Sequence, residues 1–273
     1  MTDAEAGHVA SHIAGATVLA ERRLGPCGYE IEVSAPVEVP TLEGIDINLL
    51  PAANREKRLL IADMDSTMIP MECIDELADF AGVKDQVAAI TEAAMAGELD
   101  FEGALIARVG LLKGLPVSAL EQCYAERISL NPGAETLVKT MAARGAMTAL
   151  VSGGFTFFTG RVAARTGFAM NRANTLLFEG EHLTGEVGMP ILGRDAKLET
   201  LNALCAEGGY TPADVIAVGD GANDLAMVEV AGTGVAYKAK PALRAAATAT
   251  LDHSDLTALL HLQGIPDVAW ATA

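Results

Sequence analysis

The sequence predicts an α/β protein with a Rossmann-like parallel sheet core, an inserted helical-bundle cap and a short N-terminal α/β extension. Three short, mainly apolar runs at 58–62, 146–151 and 214–218 are each followed by small or acidic residues. Such runs, with helical segments between them, are typical of strands buried on both faces of a parallel sheet. Because ligands bind beside the carboxyl ends of these strands, we expect the functional site at that edge.

The cap is predicted from the long segment between the first two strands. Residues 72–133 separate them, whereas a crossover within a parallel sheet needs only about a dozen residues. Apolar spacing and glycine stops predict helices at 71–81, 84–95, 101–113 and 117–127, before a turn at 131–133. We therefore divide the chain into an extension with its linker (1–54), a core (55–71 and 134–273) and a helical cap (72–133).

The first 54 residues differ from the rest of the chain. Residues 4–21 are alanine-rich and predict a helix, which Gly25 and Pro26 follow, and 29–39 alternates like a strand. This extension is too short for an ordinary independent core, so we expect it to dock on the rest of the protein. Farther along, alternation with turn residues at 175–188 predicts a β-hairpin.

The composition limits the classes of partner. Lysine and arginine number 19 and acidic residues 36, so the formal net charge is −17, while only 4% of the residues are aromatic. A strongly negative field repels phosphate backbones and anionic lipids, which argues against nucleic acid and membrane surfaces as partners. The same field should repel small anionic substrates, unless cations at the site attract them.

The cysteines indicate a reducing compartment. Cys27, Cys73, Cys123 and Cys205 are widely spaced and form no CxxC pair. They are typical of free thiols in the cytosol rather than of a disulfide framework or a zinc ribbon. No segment has the roughly 18 apolar residues of a membrane span, and the acidic N-terminus does not resemble a signal peptide. We therefore expect a cytoplasmic protein.

Two carboxylates follow the first predicted strand in the sequence DMDST at 63–67. An ordinary polar turn would also contain Asp and Ser, so the motif alone is weak. At a strand end, however, Asp63 and Asp65 can both reach one centre. One of them can then act as a nucleophile and the other as an acid or base.

A second acidic motif, GDGAND at 219–224, follows the third predicted strand. The alternative is a plain Asp-Gly turn. Asp63, Asp220 and Asp224 would bring three acids to one sheet edge, where two unit charges 4 Å apart repel by about 4 kcal/mol at an effective dielectric of 20. A hard divalent cation relieves this repulsion, and all-oxygen ligation with few protein donors suits Mg²⁺.

Two further features point to an anion site. Ser152 and Gly153 follow the second strand, where a hydroxyl and an exposed amide can hold a phosphate oxygen, although a plain strand-to-helix turn is the alternative. Lys197 falls in the first turn of a helix for which Asp195 is the predicted N-cap. A cation there opposes the helix dipole, which favours a function over the alternative of a solvated surface lysine.

Two cap residues carry charges that could face a ligand. Arg108 shares a predicted helix face with Phe101, Leu105 and Leu112, so its guanidinium either extends to solvent or faces a buried anion. Glu72 opens the first cap helix, where the helix dipole favours an acid in any case. The residues alone do not decide whether Arg108 faces a buried anion, or whether Glu72 has a role beyond the start of the helix.

The motifs DMDST, SGG and GDGAND, with a lysine between the last two, together resemble those of the haloacid dehalogenase-like phosphatases over about residues 57–260. The stretch MECIDELA at 71–78 is similar to members that act on phosphoserine. The resemblance implies that Asp63 is the nucleophile, which becomes an aspartyl-phosphate, and that Asp65 is the acid and base. It also implies a Mg²⁺ site formed by Asp63, Asp220 and the backbone carbonyl of Asp65, with Asp224 in support.

The resemblance also implies the substrate contacts. The residues that it assigns to the substrate are Glu72, Phe101, Arg108, Ser152, Gly153, Lys197 and Asn223. The serine, glycine and lysine would hold the phosphate, and the asparagine would contact the phosphate or the attacking water. Glu72 would bind an ammonium group, Arg108 a carboxylate, and the phenylalanine would be an apolar neighbour of the substrate.

The implied activity is Mg²⁺-dependent hydrolysis of O-phospho-L-serine to L-serine and phosphate, the last step of serine biosynthesis. The partner would be this small phosphorylated amino acid, and a homodimer is left open. One alternative is a phosphotransferase that passes the phosphoryl group to another alcohol such as homoserine, since the same nucleophile serves both reactions. Another is a non-catalytic amino-acid sensor, which has no need of an intact nucleophile.

Overall fold

Six parallel strands form the central sheet of the computed structural model, which describes residues 7, 9, 15–95 and 98–271. In chain order the strands are β1 (Val18–Arg23), β2 (Tyr29–Val33), β3 (Leu59–Ala62), β4 (Met147–Phe155), β5 (Met170–Asn174), β6 (Leu176–Glu179), β7 (His182–Val187), β8 (Val215–Gly219), β9 (Thr233–Tyr237) and β10 (Ala249–Leu251). The helices are α1 (Cys73–Phe80), α2 (Lys84–Met95), α3 (Phe101–Gly110), α4 (Val117–Arg127), α5 (Ala134–Ala143), α6 (Thr156–Thr166), α7 (Ala196–Gly208), α8 (Leu225–Val230), α9 (Pro241–Ala246) and α10 (Ala258–Leu262). The predicted α/β class is confirmed.

The order of the strands places β3 in the interior of the sheet. The order is β10-β9-β8-β3-β4-β5, and each neighbouring pair is parallel. The chain builds outward from β3 through β4 and β5 on one side, then returns to build β8, β9 and β10 on the other. The direction of winding therefore reverses between β3 and β8. A crevice at such a reversal is where open α/β sheets bind ligands.

Alternate residues of the central strands pack on opposite faces of the sheet. Leu60, Ala62 and Val218 belong to one apolar cluster, whereas Leu59 and Ile61 belong to the other. The whole of β3 is fully buried, which explains its uninterrupted apolar sequence. The cluster that contains Leu60 continues into α1, α3 and α4, so the inserted helices and the sheet share one core.

The inserted helices follow the predicted pattern closely. α2 and α4 have the predicted bounds, and α1 begins two residues later than predicted. α3 ends at Gly110 rather than at residue 113, because the chain then tightens into a turn in which Leu112 N–H donates to the carbonyl of Val109 (2.9 Å). In the part of the chain that the structure describes, no helix has the length and apolar content needed to cross a membrane.

The predicted hairpin at 175–188 is formed by β6 and β7, and it attaches to the inserted helices. The N–H of Gly114 donates to the carbonyl of Leu183 (2.8 Å), and the N–H of Leu183 donates to the carbonyl of Leu115 (2.9 Å). Val117 N–H, at the start of α4, donates to the carbonyl of Glu181 (2.8 Å). The link between α3 and α4 is therefore held by strand-like hydrogen bonds to the hairpin.

The prediction of a helix at 4–21 is wrong at its carboxyl end. Residues 18–21 belong to β1, which pairs with β2 in an antiparallel hairpin. Most of the remaining predicted helix lies outside the described residues. The partner strand satisfies the backbone of β1, and such tertiary pairing overrides a local preference for helix.

The N-terminal hairpin docks on the carboxyl-terminal part of the chain. The guanidinium of Arg55 pairs with Glu30 of β2 and donates to the carbonyl of His261 (3.2 Å). Leu24, at the end of β1, is buried, and its carbonyl accepts from the N–H of Asp267 (2.8 Å). The extension thus adds its few apolar residues to the larger core, as expected from its size.

All four cysteines of the chain are free thiols.

The linker covers the edge of the sheet at β10. Asn48 donates to the carbonyl of Thr250 (3.0 Å) and accepts from its N–H (2.8 Å), so one side chain replaces a neighbouring strand. Asp46 accepts from the N–H groups of Asp252 (2.9 Å), His253 (3.1 Å) and Ser254 (2.8 Å). Burial raises the pKa of Asp46, but these hydrogen bonds outweigh burial and hold the pKa below its usual value.

Replacing Asp46 with Ala is expected to lower the free energy of unfolding by about 1–3 kcal/mol, because three backbone N–H groups lose a charged acceptor. Since the folded state depresses the pKa of this carboxyl, its contribution is complete above about pH 4 and is lost as the pH falls further. Chemical denaturation at pH 7 and at pH 5 should therefore give the same loss.

The matched control is E43A, which removes an exposed acid from the same linker. This variant should unfold like the wild type. Equal stability of D46A and E43A would contradict the assignment.

Candidate active site

The two acidic motifs meet where the strand order reverses. Asp63 follows β3, and Asp220 follows β8, the strand that pairs with β3. The N–H of Asp63 donates to the carbonyl of Val218 in β8 (3.0 Å), which continues the pairing of the strands to the first residue of the motif. Both carboxylates therefore lie at the carboxyl edge of the sheet, as the sequence predicted.

Asp65 lies in a wide helical turn, Met64–Met68, which is interrupted where Ser66 adopts a left-handed φ of 56°. One carboxylate oxygen accepts from the N–H of Cys73 (2.8 Å), and the other accepts from the hydroxyl of Ser152 (2.9 Å). Burial raises the pKa of Asp65, and the hydrogen bonds from Cys73 and Ser152 oppose this rise. A carboxyl group held at both oxygens, with its pKa raised, is suited to giving and taking a proton.

One buried ammonium group pairs with two members of a cluster of three carboxylates. Asp63, Asp220 and Asp224 each offer an oxygen within 4.8 Å of those of the other two. Lys197 is 3% exposed, and its Nζ lies 2.7 Å from Oδ1 of Asp63 and also pairs with Asp224. Burial lowers the pKa of Lys197, but the charges of Asp224 and Asp63 outweigh burial and raise it, so the ammonium is charged.

The cluster contains more acid than Lys197 neutralises. Burial and the charge of Asp224 raise the pKa of both Asp63 and Asp220. A divalent cation fits this set, because every remaining donor is a carboxylate oxygen and a cation would favour the ionised forms. The oxygens of Asp63 and Asp220 could hold it.

Asp224 is fully buried, and both of its oxygens are engaged. One pairs with Lys197, and the other accepts from the N–H groups of Asp220 (3.2 Å) and Gly221 (3.0 Å). The close approach requires Gly219, since a Cβ at that position would lie 2.2 Å from Cγ of Asp224. Asp224 thus braces the loop and orients Lys197, which suits a supporting role.

A small pocket opens beside Lys197 and is lined by both the inserted helices and the sheet. Five residues that the sequence assigned to the substrate line this pocket: Phe101, Ser152, Gly153, Lys197 and Asn223. A Cβ on Gly153 would lie 3.2 Å from the ring of Phe101, so the start of α3 rests directly on the end of β4. The Ser152 oxygen accepts from the N–H of Gly154 (2.8 Å) while its proton is donated to Asp65.

Glu72 and Arg108 are the predicted charged residues of the inserted helices. Burial and the charge of Asp65 raise the pKa of Glu72 to about 7, although solvent still reaches the side chain. Glu72 accepts from the hydroxyl of Ser66 (2.7 Å). Arg108 is half-buried and donates to the carbonyl of Ala104 in its own helix (3.2 Å). These two side chains form no ion pair with each other, and each keeps donors or acceptors for a ligand.

Lys197 is the second residue of α7, where the sequence placed it. Asp195 occupies the predicted N-cap position, and its side chain makes no capping hydrogen bond there. The unfavourable helix dipole, worth about 0.3–1 kcal/mol, is offset by the ion pairs with Asp63 and Asp224.

Sequence reasoning missed two residues of the site. Asn174, which is 2% exposed at the end of β5, donates to the carbonyl of Gly153 (2.8 Å) and accepts from the N–H of Leu192 (2.7 Å). Arg194 lines the pocket beside Lys197. The sequence around these two residues contains no motif that indicates a function. Asn174 reaches Gly153 only because β5 packs against β4.

Comparison with known proteins agrees with this geometry. The phosphoserine phosphatase of Archaeoglobus fulgidus is 43% identical over 225 residues, which are 82% of this chain and 65% of that protein. The phosphoserine phosphatase of a Polaromonas species is 46% identical over 210 residues, which are 75% of this chain and 89% of that protein. This chain therefore spans just under two thirds of the first relative and most of the second.

A solved phospho-aspartyl intermediate analogue of phosphoserine phosphatase is 40% identical, with a TM-score of 0.69 over 75% of this chain and 98% of that chain. The family model for haloacid dehalogenase-like hydrolases matches residues 60–229. This match covers more than half of the sequence and includes both acidic motifs, so the chain belongs to the haloacid dehalogenase-like hydrolases.

Proposed function

We propose that this protein is a Mg²⁺-dependent phosphoserine phosphatase, which hydrolyses O-phospho-L-serine to L-serine and phosphate in the last step of serine biosynthesis. The observation that carries the proposal is the ion pair between Asp63 and Lys197. Lys197 also lines a pocket, together with Phe101 and Gly153. The similarity to phosphoserine phosphatases supports the choice of substrate.

Asp63 is the proposed nucleophile. A carboxylate oxygen of Asp63 attacks phosphorus, the bond between phosphorus and the serine oxygen breaks, and Asp65 gives its proton to the departing oxygen. Lys197 favours the ionised form of Asp63, which the attack requires. The known phospho-aspartyl analogue of a relative supports this step.

The second step regenerates the enzyme. Asp65, now ionised, takes a proton from a water molecule, whose oxygen attacks the phosphorus of the aspartyl-phosphate. The bond between phosphorus and Asp63 breaks, and inorganic phosphate leaves. The hydrogen bonds from Cys73 and Ser152 hold the Asp65 carboxylate in position for both proton transfers.

Mg²⁺ is the proposed cofactor, with Asp63, Asp220 and the backbone carbonyl of Asp65 as its protein ligands and Asp224 behind them. When bound, it supplies positive charge to the phosphate oxygens. The acidic cluster supports this assignment, because Lys197 balances only part of its charge.

The charges of the site support phosphoserine as the substrate. Phosphoserine presents a phosphate, an ammonium group and a carboxylate. Lys197, Asn223 and the amide of Gly153 would hold the phosphate, and Ser152 contributes once its proton is free. Glu72 would pair with the ammonium group, and Arg108 would pair with the carboxylate.

We also propose that residues 72–133 act as a cap over the core formed by 55–71 and 134–273, with 1–54 as an extension. The contact of Phe101 with Gly153 supports this division, because it brings the inserted helices onto the pocket, where they can exclude water before attack. A cytoplasmic location and a homodimer stay predictions from the sequence.

Replacing Asp63 with Asn is expected to lower kcat for L-phosphoserine by about four orders of magnitude, because an amide is a poor nucleophile. Release of phosphate and of serine in the presence of Mg²⁺ measures the effect. Added acceptor alcohols, homoserine among them, would reveal any phosphotransfer by the wild type.

D85N is the control for D63N, since it removes the same charge from an exposed helical position. It should retain wild-type activity. A D63N enzyme that hydrolyses phosphoserine at a near wild-type rate would overturn the mechanism.

The KM for phosphoserine is expected to rise as the pH falls from 8 to 6, because Glu72, with its pKa near 7, then loses the charge that binds the ammonium group. E72Q should have a high KM at each pH. The KM values of the wild type and E72Q should therefore converge as the pH falls. A ratio of these KM values that stays constant with pH would count against this role of Glu72.

Replacing Asn174 with Ala is expected to raise KM about tenfold with a smaller effect on kcat, since Gly153 and Leu192 lose the side chain that connects them. N202A, which changes an exposed asparagine of α7, serves as the control. Steady-state kinetics would reject the assignment if both variants gave the wild-type KM.

A further inference from the structure

Arg194 is a charged lining residue of the pocket for which the mechanism above has no use. It lines the pocket together with Ser152, Lys197 and Asn223. The residue is exposed, and within the described residues its guanidinium has no hydrogen-bond, ion-pair or ring partner. Arg55, by contrast, is bound to a carboxylate.

The backbone that carries Arg194 is held firmly. Asn174 binds the N–H of Leu192 two residues before it, and the N–H of Ala196 donates to the carbonyl of Gly193 (3.2 Å). α7 begins immediately afterwards. The base of the side chain is therefore fixed at the pocket, while the guanidinium is free to meet a ligand.

Lys197 is too deeply buried to meet an approaching anion first. The residue is 3% exposed, and its ammonium group pairs with Asp63 and Asp224. An anion that approaches a protein with a net charge of −17 therefore meets the exposed guanidinium of Arg194 before it meets Lys197. A guanidinium presents paired N–H donors that match two phosphate oxygens.

We propose that Arg194 binds the phosphate group of the incoming substrate from the solvent side of the pocket and accelerates its capture. The inference rests on the proposed phosphatase function and adds a residue that determines substrate affinity. Arg194 acts on binding rather than on the chemical steps, because Asp63, Asp65 and Lys197 already supply the nucleophile, the proton and the buried charge.

R194Q tests this role, with R165Q as the matched control. Arg165 is exposed in the last turn of α6, a helix that starts at the end of β4 and runs away from the pocket, so its loss changes the net charge equally. R194Q should lower kcat/KM for phosphoserine about three- to tenfold with kcat unchanged. It should also weaken the decline of kcat/KM with added salt, which a merely structural role would not do.

The inhibition constant of inorganic phosphate should rise by a similar factor in R194Q and stay at the wild-type value in R165Q. Wild-type kcat/KM, salt dependence and phosphate inhibition in R194Q would overturn the role of Arg194. If the wild type itself does not hydrolyse phosphoserine, the proposed function fails. Calorimetric titration of inorganic phosphate, in the presence of Mg²⁺, into the wild type, R194Q and R165Q would then still test the inference. Equal affinities of the three proteins for phosphate would overturn it.

Discussion

The site depends on the buried ion cluster of Lys197, Asp63 and Asp224. The oxygens of Asp63 and Asp224 lie within 4.8 Å of each other. Two unit charges at about 4 Å repel by about 4 kcal/mol at an effective dielectric of 20, and the ammonium group that pairs with both carboxylates offsets this repulsion. Lys197 comes from α7, Asp63 follows β3, and Asp224 follows β8, so one cluster connects three parts of the fold. Removing the lysine would leave buried carboxylates unpaired, which is the costly way to break such a group.

Ser152 holds Asp65, the proposed acid and base, at the end of β4. Its single hydroxyl proton is given to Asp65, and its oxygen is oriented by the N–H of Gly154. The same strand end carries Gly153, which contacts Phe101 of the inserted helices and is tied to β5 by Asn174. The proposed phosphate binding, proton transfer and coverage of the pocket thus all involve adjacent residues of one strand.

The net charge of −17 is compatible with an anionic substrate because charge is distributed unevenly. The buried acids are partly neutralised by Lys197, and Lys240 lies 3.9 Å from Asp220. Arg194 and Arg108 add positive charge at the pocket and in the inserted helices. The overall field disfavours polyanions, while these local cations suit one small phosphate ester.

The sequence by itself determined β3, β4, β8, the hairpin of β6 and β7, most bounds of the four inserted helices and the acidic motifs. It could do so because periodicity, breakers and short motifs are local properties. It misassigned residues 18–21, which pairing with β2 turns into a strand. Only the tertiary structure decided that Asn174 connects two loops and that the Arg194 guanidinium has no partner among the described residues. Contacts between residues far apart in the chain have no local signature, since they arise from the order in which the strands pack.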